Sequence, residues 1–184
     1  MKKFNIFIII ACVFMLCGCA VWQLVPDNYQ WRSADFAVVL PQGWMKFRSP
    51  TALLFLTKDG ELLQNISLYR EKIGKELLIS KKKFAKEMLS QELSETLVNE
   101  LSLDQKKHNF KVIENIPVKL GGRDAFRVTY SFNTADNLKL KTVIYGFIKD
   151  KFVYFIQYEA AEQHYFDKDI AAFDKFIQGF QILR

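Results

Sequence analysis

The chain has 184 residues, half of them hydrophobic and 15% aromatic, with 17 Phe and a formal net charge of +6. That length favours one domain able to bury most of its apolar surface. With only four Pro and eight scattered Gly, the composition excludes disordered, collagenous and low-complexity chains.

Lys2 and Lys3 precede a twelve-residue apolar run from Ile6 to Cys17, followed by Gly18 and Cys19. A basic start, an apolar run and a small residue are the layout of a signal peptide spanning 1–18, and the run is too short for an ordinary membrane span of ~20 residues. Leu16-Cys17-Gly18-Cys19 resembles the lipobox of bacterial lipoproteins, with Leu three before the modified Cys and a small residue directly before it. Cys17 departs from the usual Ala, Ser or Thr. The resemblance implies a diacylglycerol thioether on Cys19, cleavage after Gly18 and acylation, such as palmitate, of the new amino terminus. Several acyl chains anchor firmly where one is marginal. The alternative is an uncleaved signal anchor from Phe4 to about Trp22, and either arrangement puts the domain outside the cytoplasm. The cysteines are residues 12, 17 and 19, so past the signal no thiol remains except Cys19. Disulfide frameworks, thiolate zinc sites and catalytic cysteines are thereby excluded. Ala20, rather than Asp, after the modified Cys resembles sorting to the outer membrane in an organism with two membranes.

Residues 19–34 lack strand or helix periodicity and read as a tether, with Trp22 and Trp31 either at headgroup level or packed on the domain. The domain, residues 35–184, opens with a strand at Phe36–Leu40, stopped by Pro41-Gln42-Gly43-Trp44. A second apolar run, 52–57, meets Lys58-Asp59-Gly60 and continues at 61–70, a hairpin signal because Asp-Gly suits the two positive-φ positions of the favoured turn. Between Ser80 and Asp104 there is no Gly or Pro. Phe84, Met88, Leu89, Leu93, Leu97 and Leu101 recur there at helical spacing, predicting one amphipathic helix.

Four strands at 110–120, 123–132, 138–148 and 152–159 then form an antiparallel meander, in which Phe126, Val128, Tyr130 and Phe132 alternate with polar residues. In the last two strands Tyr145, Phe147, Val153 and Phe155 are set against Ile144, Ile148, Tyr154 and Ile156, so both faces are apolar. That predicts helices on each side or an exposed binding patch. A closing helix at 162–178 carries Phe166, Ile170, Phe173 and Ile177 as a stripe that Phe180 continues. The expected class is α+β, one antiparallel β-sheet covered by two helices.

Phe36-x-Val38-x-Leu40-Pro41-x-Gly43-Trp44, the turn Gly121-Gly122-Arg123-x-Ala125 and the terminal aromatic helix together resemble the PsbP-like superfamily, which includes DcrB-type envelope lipoproteins. The resemblance spans about 34–183. It implies an α-β-α sandwich and non-catalytic roles, mostly docking to other proteins, and transfers no binding residue.

Neither histidine offers a nucleophile's base. His108 lies in the polar stretch 105–109, and His164 has Asp167, Glu159, Glu162 and Asp169 nearby, where acids at a helix start need no metal to explain them. No phosphate-binding glycine loop or Gly-x-Ser-x-Gly elbow occurs. The expectation is therefore no enzyme, no cofactor and no metal. The alternative function is a small-ligand- or metal-binding, enzyme-like domain using His164 and those acids in a pocket; a third is a structural lipoprotein without a discrete ligand.

Charge is unevenly placed. Residues 70–87 hold Arg70, Lys72, Lys75, Lys81, Lys82, Lys83 and Lys86 against Glu71, Glu76 and Glu87. Lys81, Lys82 and Lys83 at a helix start oppose its dipole, so either the helix begins near Lys75 or the cluster, with Lys86, serves a surface. Besides a solvated face, its uses are anionic headgroups or an acidic protein; nucleic acid lacks a supporting aromatic-basic motif. Glu92, Glu95, Glu100 and Asp104 make the expected helix acidic later, a bipolar rod suited to antiparallel self-pairing. The sequence as a whole reads as a membrane-anchored, non-enzymatic envelope lipoprotein whose domain binds a protein or envelope component.

Overall fold

The computed structural model describes residues 22–183. In chain order the strands before the first helix are β1 (Trp22–Leu24), β2 (Gln30–Arg32), β3 (Phe36–Val39), β4 (Met45–Phe47), β5 (Leu54–Thr57) and β6 (Gln64–Lys72). Helix α1 (Ser90–Ser102) leads into β7 (His108–Leu120), β8 (Arg123–Asn133), β9 (Lys139–Lys149) and β10 (Phe152–Ala161), and α2 (Tyr165–Gln178) is followed by β11 (Gln181–Ile182).

Eight strands form one antiparallel sheet in the order β1-β4-β5-β6-β10-β9-β8-β7, and β11-β3-β2 form a second, three-stranded sheet. The expectation of a single sheet is corrected: Phe36–Val39 is the centre of the small sheet, not part of the large one. Residues 22–34 are not a free tether. Within them β1 pairs with β4, β2 pairs with β3, and Val25 between them is buried. Val25, which is buried, and Trp31, which packs against the core, drive this without long periodicity in sequence, while Trp22 stays exposed and packs on Phe47.

The meander follows the expected lines. Gly121 and Gly122 adopt φ of 54° and 82°, the pair of positive values that a two-residue hairpin turn demands. Asp59-Gly60 behaves differently: only Gly60 has positive φ, at 118°, and Leu63 and Gln64 both donate to the Gly60 carbonyl. The connection is thus a wide loop rather than a two-residue turn. At the far edge β7 is interrupted by two register shifts and carries Lys111, Pro117 and Lys119, features that discourage pairing with another chain.

Alternation divides the core between the two faces of the sheet. Tyr154, Ile156, Tyr158 and Ala160 of β10 enter the first cluster, with Phe166, Phe173 and Phe176 of α2 and Phe36, Val38 and Leu40. Val153, Phe155 and Ala161 enter the second, with Leu93 and Leu97 of α1. Register corrects the grouping expected across β9 and β10. Phe147 lies opposite Tyr154 and Tyr145 opposite Ile156, so these four share the first face. On the second face Phe126 and Phe155 flank Gly146, and a Cβ added there would collide with the Phe126 ring. The first face is covered by α2 together with the small sheet; α1 packs mainly on β7, β8 and β9 of the second.

The single helix expected at 80–104 is also corrected. Helix α1 begins only at Ser90, where the Leu89 amide donates to the Glu92 carboxylate at 2.7 Å. The first turn is therefore acidic, as the dipole favours, and the lysines lie outside the helix. With the basic segment elsewhere, the bipolar rod does not exist. Phe84 and Met88 still reach the core from a non-helical segment, whereas Leu89 is exposed.

Candidate binding surface

After β6 the chain forms an irregular arm. Gly74 N–H donates to Phe84 O at 2.9 Å, Leu77 N–H donates to Lys82 O at 2.8 Å, and Glu76 bridges Lys83. Phe84, 1% exposed, pins the base of the arm, its ring 5.7 Å from that of Phe155. At the tip Lys81 has φ of 59° and its Nζ donates to Leu78 O at 2.7 Å. Glu100 of α1 accepts from the amides of Ile79 at 2.9 Å and Ser80 at 2.8 Å. Burial pushes the Glu100 carboxyl up, but hydrogen bonds from Ser80 and Ile79 outweigh it and hold the group below its ordinary value.

These contacts fix how the lysines stand. Lys75 pairs with Glu71 and Lys83 with Glu76, while Lys81, Lys82 and Lys86 have no ion-pair partner among the described residues. Lys81, Lys82 and Lys83 share the arm; Lys86 lies on its return and lines a separate cleft of about 620 Å³ with Ser90, Pro117, Arg123 and Asp124. Leu78 is 81% exposed and Ile79 43%.

Beside the arm the second face of the sheet is open. A cavity of about 170 Å³ is lined by Tyr69, Leu77, Phe84, Leu97, Glu100 and Phe155. It adjoins another of about 310 Å³, lined by Ser49, Thr51, Phe55 and Ser67, through the shared Tyr69 and Glu71. Burial first, and the charges of Glu159 and Glu71 second, push the Tyr69 phenol far up, so it stays neutral. Strand register extends this floor to the sheet edge: Ser67 lies opposite Phe55, Phe55 opposite Phe47 and Phe47 opposite Trp22. The Trp22–Phe47 and Phe47–Phe55 ring centroids are 4.7 and 6.1 Å apart. Trp31, by contrast, packs against the first cluster.

The histidine site does not form. His164 is exposed, ends the loop before α2 at φ of 75°, and presents its ring only to the edge of Tyr165. Of its expected partners, Asp169 is instead buried against Lys58 at 2.9 Å and Gln64 at 2.7 Å. Burial raises the Asp169 carboxyl, but those two donors outweigh it and lower it overall. Among the described residues no three His, Cys, Asp or Glu stand close enough to hold a metal. His108 is likewise exposed, at the start of β7.

Sequence reasoning missed the network around Asp169. Tyr158 Oη donates toward the carbonyls of Tyr165 and Phe166 at 3.0 and 3.1 Å, and burial pushes the phenol up to about 12. Gln64 and Asp169 are 105 residues apart, so no local spacing could reveal the pair. The lipobox, including Cys19, lies outside the described residues. No helix among the described residues is long and apolar enough to cross a membrane.

No family model matches the sequence, and no curated protein matches it. Solved structures do match. The solution structure of cyanobacterial PsbP (CyanoP) from Synechocystis sp. PCC 6803 aligns with a TM-score of 0.59 at 14% identity, covering 91% of this chain and 96% of that one. The Ran-binding protein Mog1p of Saccharomyces cerevisiae gives 0.54 at 9% identity, over 87% and 96%. LpqN, involved in cell envelope biogenesis of Mycobacterium tuberculosis, gives 0.50 at 14% identity, over 89% and 83%. At such identities the likeness is one of fold. The domain has the PsbP-like fold.

Proposed function

We propose that the protein is a lipid-anchored, non-enzymatic envelope lipoprotein whose PsbP-like domain is a binding module for a protein or other envelope component. The observation that carries this is the lipobox ending at Cys19 directly before a PsbP-like fold. Among structures of that fold, LpqN is described as involved in cell envelope biogenesis, which fits an envelope location, and Mog1p as Ran-binding, which fits docking to a protein. The lipid confines the domain to a surface and raises its effective concentration toward partners there. Where the organism has two membranes, Ala20 after the modified Cys resembles the signal for sorting to the outer one, which supports that location.

The test is intact-mass spectrometry of the protein purified from its own membranes, beside a Cys19→Ser version. The expected mass is that of a chain cut after Gly18 and carrying diacylglycerol and acyl groups, absent in the variant. An unmodified amino terminus in the parent protein refutes the anchor. Crosslinking in intact envelopes then reads the partner, and a domain that crosslinks to nothing but itself speaks against a binding module.

A further inference from the structure

The open part of the second face ends, at its outer edge, where the chain from the proposed anchor enters the fold. Only Ala20 and Val21 separate Cys19 from Trp22, which is already paired with Phe47 in the sheet. Extended residues reach at most ~3.6 Å each, so three steps hold the Cα of Cys19 within about 11 Å of that of Trp22. A domain so tightly leashed must present to the membrane a surface close to β1.

Three features of that neighbourhood suit a bilayer. Trp22, Leu53, Leu78 and Ile79 are all exposed, at 38, 42, 81 and 43%. Trp22 belongs to the Trp22–Phe47–Phe55 row on that face, Leu53 sits in the bend just before β5, and the arm with Leu78 lies beside the same face at Tyr69 and Phe155. The arm reads Leu78-Ile79-Ser80-Lys81-Lys82-Lys83, apolar tip then cations, with the tip shape preset by Glu100. Glu71 at the end of β6 pairs with Lys75 and Glu76 of the arm pairs with Lys83, while Lys81 and Lys82 have no ion-pair partner among the described residues. Elsewhere Lys58, Lys139 and Lys168 each have a carboxylate, while Lys175 of α2, like Lys81 and Lys82, has none among the described residues.

We infer that the open half of the second face, from Trp22 to the tip of the arm, lies against the membrane that carries the anchor. Leu78 and Ile79 enter the interfacial layer, and Lys81 and Lys82 meet anionic headgroups. The inference rests on the anchor at Cys19 for its leash but concerns different residues. It leaves the first face, with α2, turned away from the bilayer and free for a partner.

The test is lysine acetylation footprinting by mass spectrometry. The full chain, purified from its own membranes, is reconstituted in vesicles of phosphatidylcholine with or without phosphatidylglycerol. With anionic lipid, labelling of Lys81 and Lys82 is expected to fall on the order of fivefold relative to detergent, while Lys168 and Lys175 of α2 stay unchanged. A Leu78→Asp, Ile79→Asp version, altered only at exposed positions, is expected to lose most of that protection. Equal labelling in vesicles and detergent overturns the inference. Protection seen in native membranes but not in protein-free anionic vesicles assigns the arm to an acidic protein and also overturns it. The intact mass of the same sample separates the two proposals: lipid present without protection refutes this face, and protection without lipid refutes the anchor.

Discussion

The two faces of the large sheet are closed by different means. On the first, α2 and a three-stranded sheet seal a cluster in which Phe36, Phe147, Tyr154 and Phe180 pack ring against ring, at centroid distances from 4.9 to 6.4 Å. On the second, a thirteen-residue helix and an irregular arm cover β7 to β10, and the β1-β4-β5 side stays open. The first face and the covered half of the second both hold buried clusters, and burying each of their aromatic side chains contributes about 1.5–3 kcal/mol. The second retains apolar and cationic groups whose burial or pairing is still to be gained, and that residual free energy is what a binding surface uses.

The sharpest way to break this contrast is truncation. Phe173→Ala, at a position fully buried between Tyr145, Tyr158 and Phe176, should cost about 3–5 kcal/mol. Phe55→Ala on the open side should cost roughly 1–2 kcal/mol, because the ring is only half-buried. Urea denaturation of both variants decides the matter: equal losses would mean the two faces bear equally on stability.

Gly146→Ala should cost about 1–3 kcal/mol by forcing the Phe126 ring from its seat. A Phe126→Leu background should recover part of that loss in a double-mutant cycle, and strict additivity would show that the ring is not what constrains the glycine.

Acidification tests the polar links beneath each cover. Asp169 and Glu100 are held below their ordinary values of 3.8 and 4.5, so the unfolded chain protonates first as pH falls. Their stabilisation is complete above about pH 5 and is lost as pH drops through the folded values. Asp169→Asn should lower stability at pH 7 by roughly 1–3 kcal/mol and flatten the acid limb of the stability–pH curve; a limb unchanged in slope would place the titration elsewhere. The smallest global effect belongs to Glu100→Gln, at about 1 kcal/mol or less. Hydrogen exchange at the Ile79 and Ser80 amides should nonetheless quicken several-fold, and unaltered protection there would mean the tip is held by the arm's other contacts rather than by Glu100.

Much of this architecture was legible where a local rule was sufficient. The double glycine at 121 and 122 announced a positive-φ hairpin, and alternation in 126–132 placed β8 with its face. The stripe of α2 was read with one omission, Phe176, which lies between the expected Phe173 and Ile177 and is 2% exposed. What local rules could not convey were long-range choices. Periodicity at 84–101 marks a buried stripe but does not say which backbone carries it, and Lys81 with positive φ and Gly74 with φ of 81° shape an arm instead of a helix. Strand β1 has three residues and no pattern to detect; it exists because β4 offers it a partner. The basic cluster was visible, whereas its neighbour, the Trp22–Phe47–Phe55 row, assembles only through register.

The pairing of β11 with β3 joins Gln181 to Ala37 and Ile182 to Phe36 across nearly the whole chain, with Phe180 seated on Phe36. Such a contact closes late, because loop entropy must be overcome before it returns anything. Until residues 180 to 182 have docked, the small sheet lacks an edge and Phe36 lacks one of its three ring neighbours, Phe180. The seal of the first face therefore depends on a strand pairing of very high contact order, and the three-stranded sheet is complete only once residues 181 and 182 are in place.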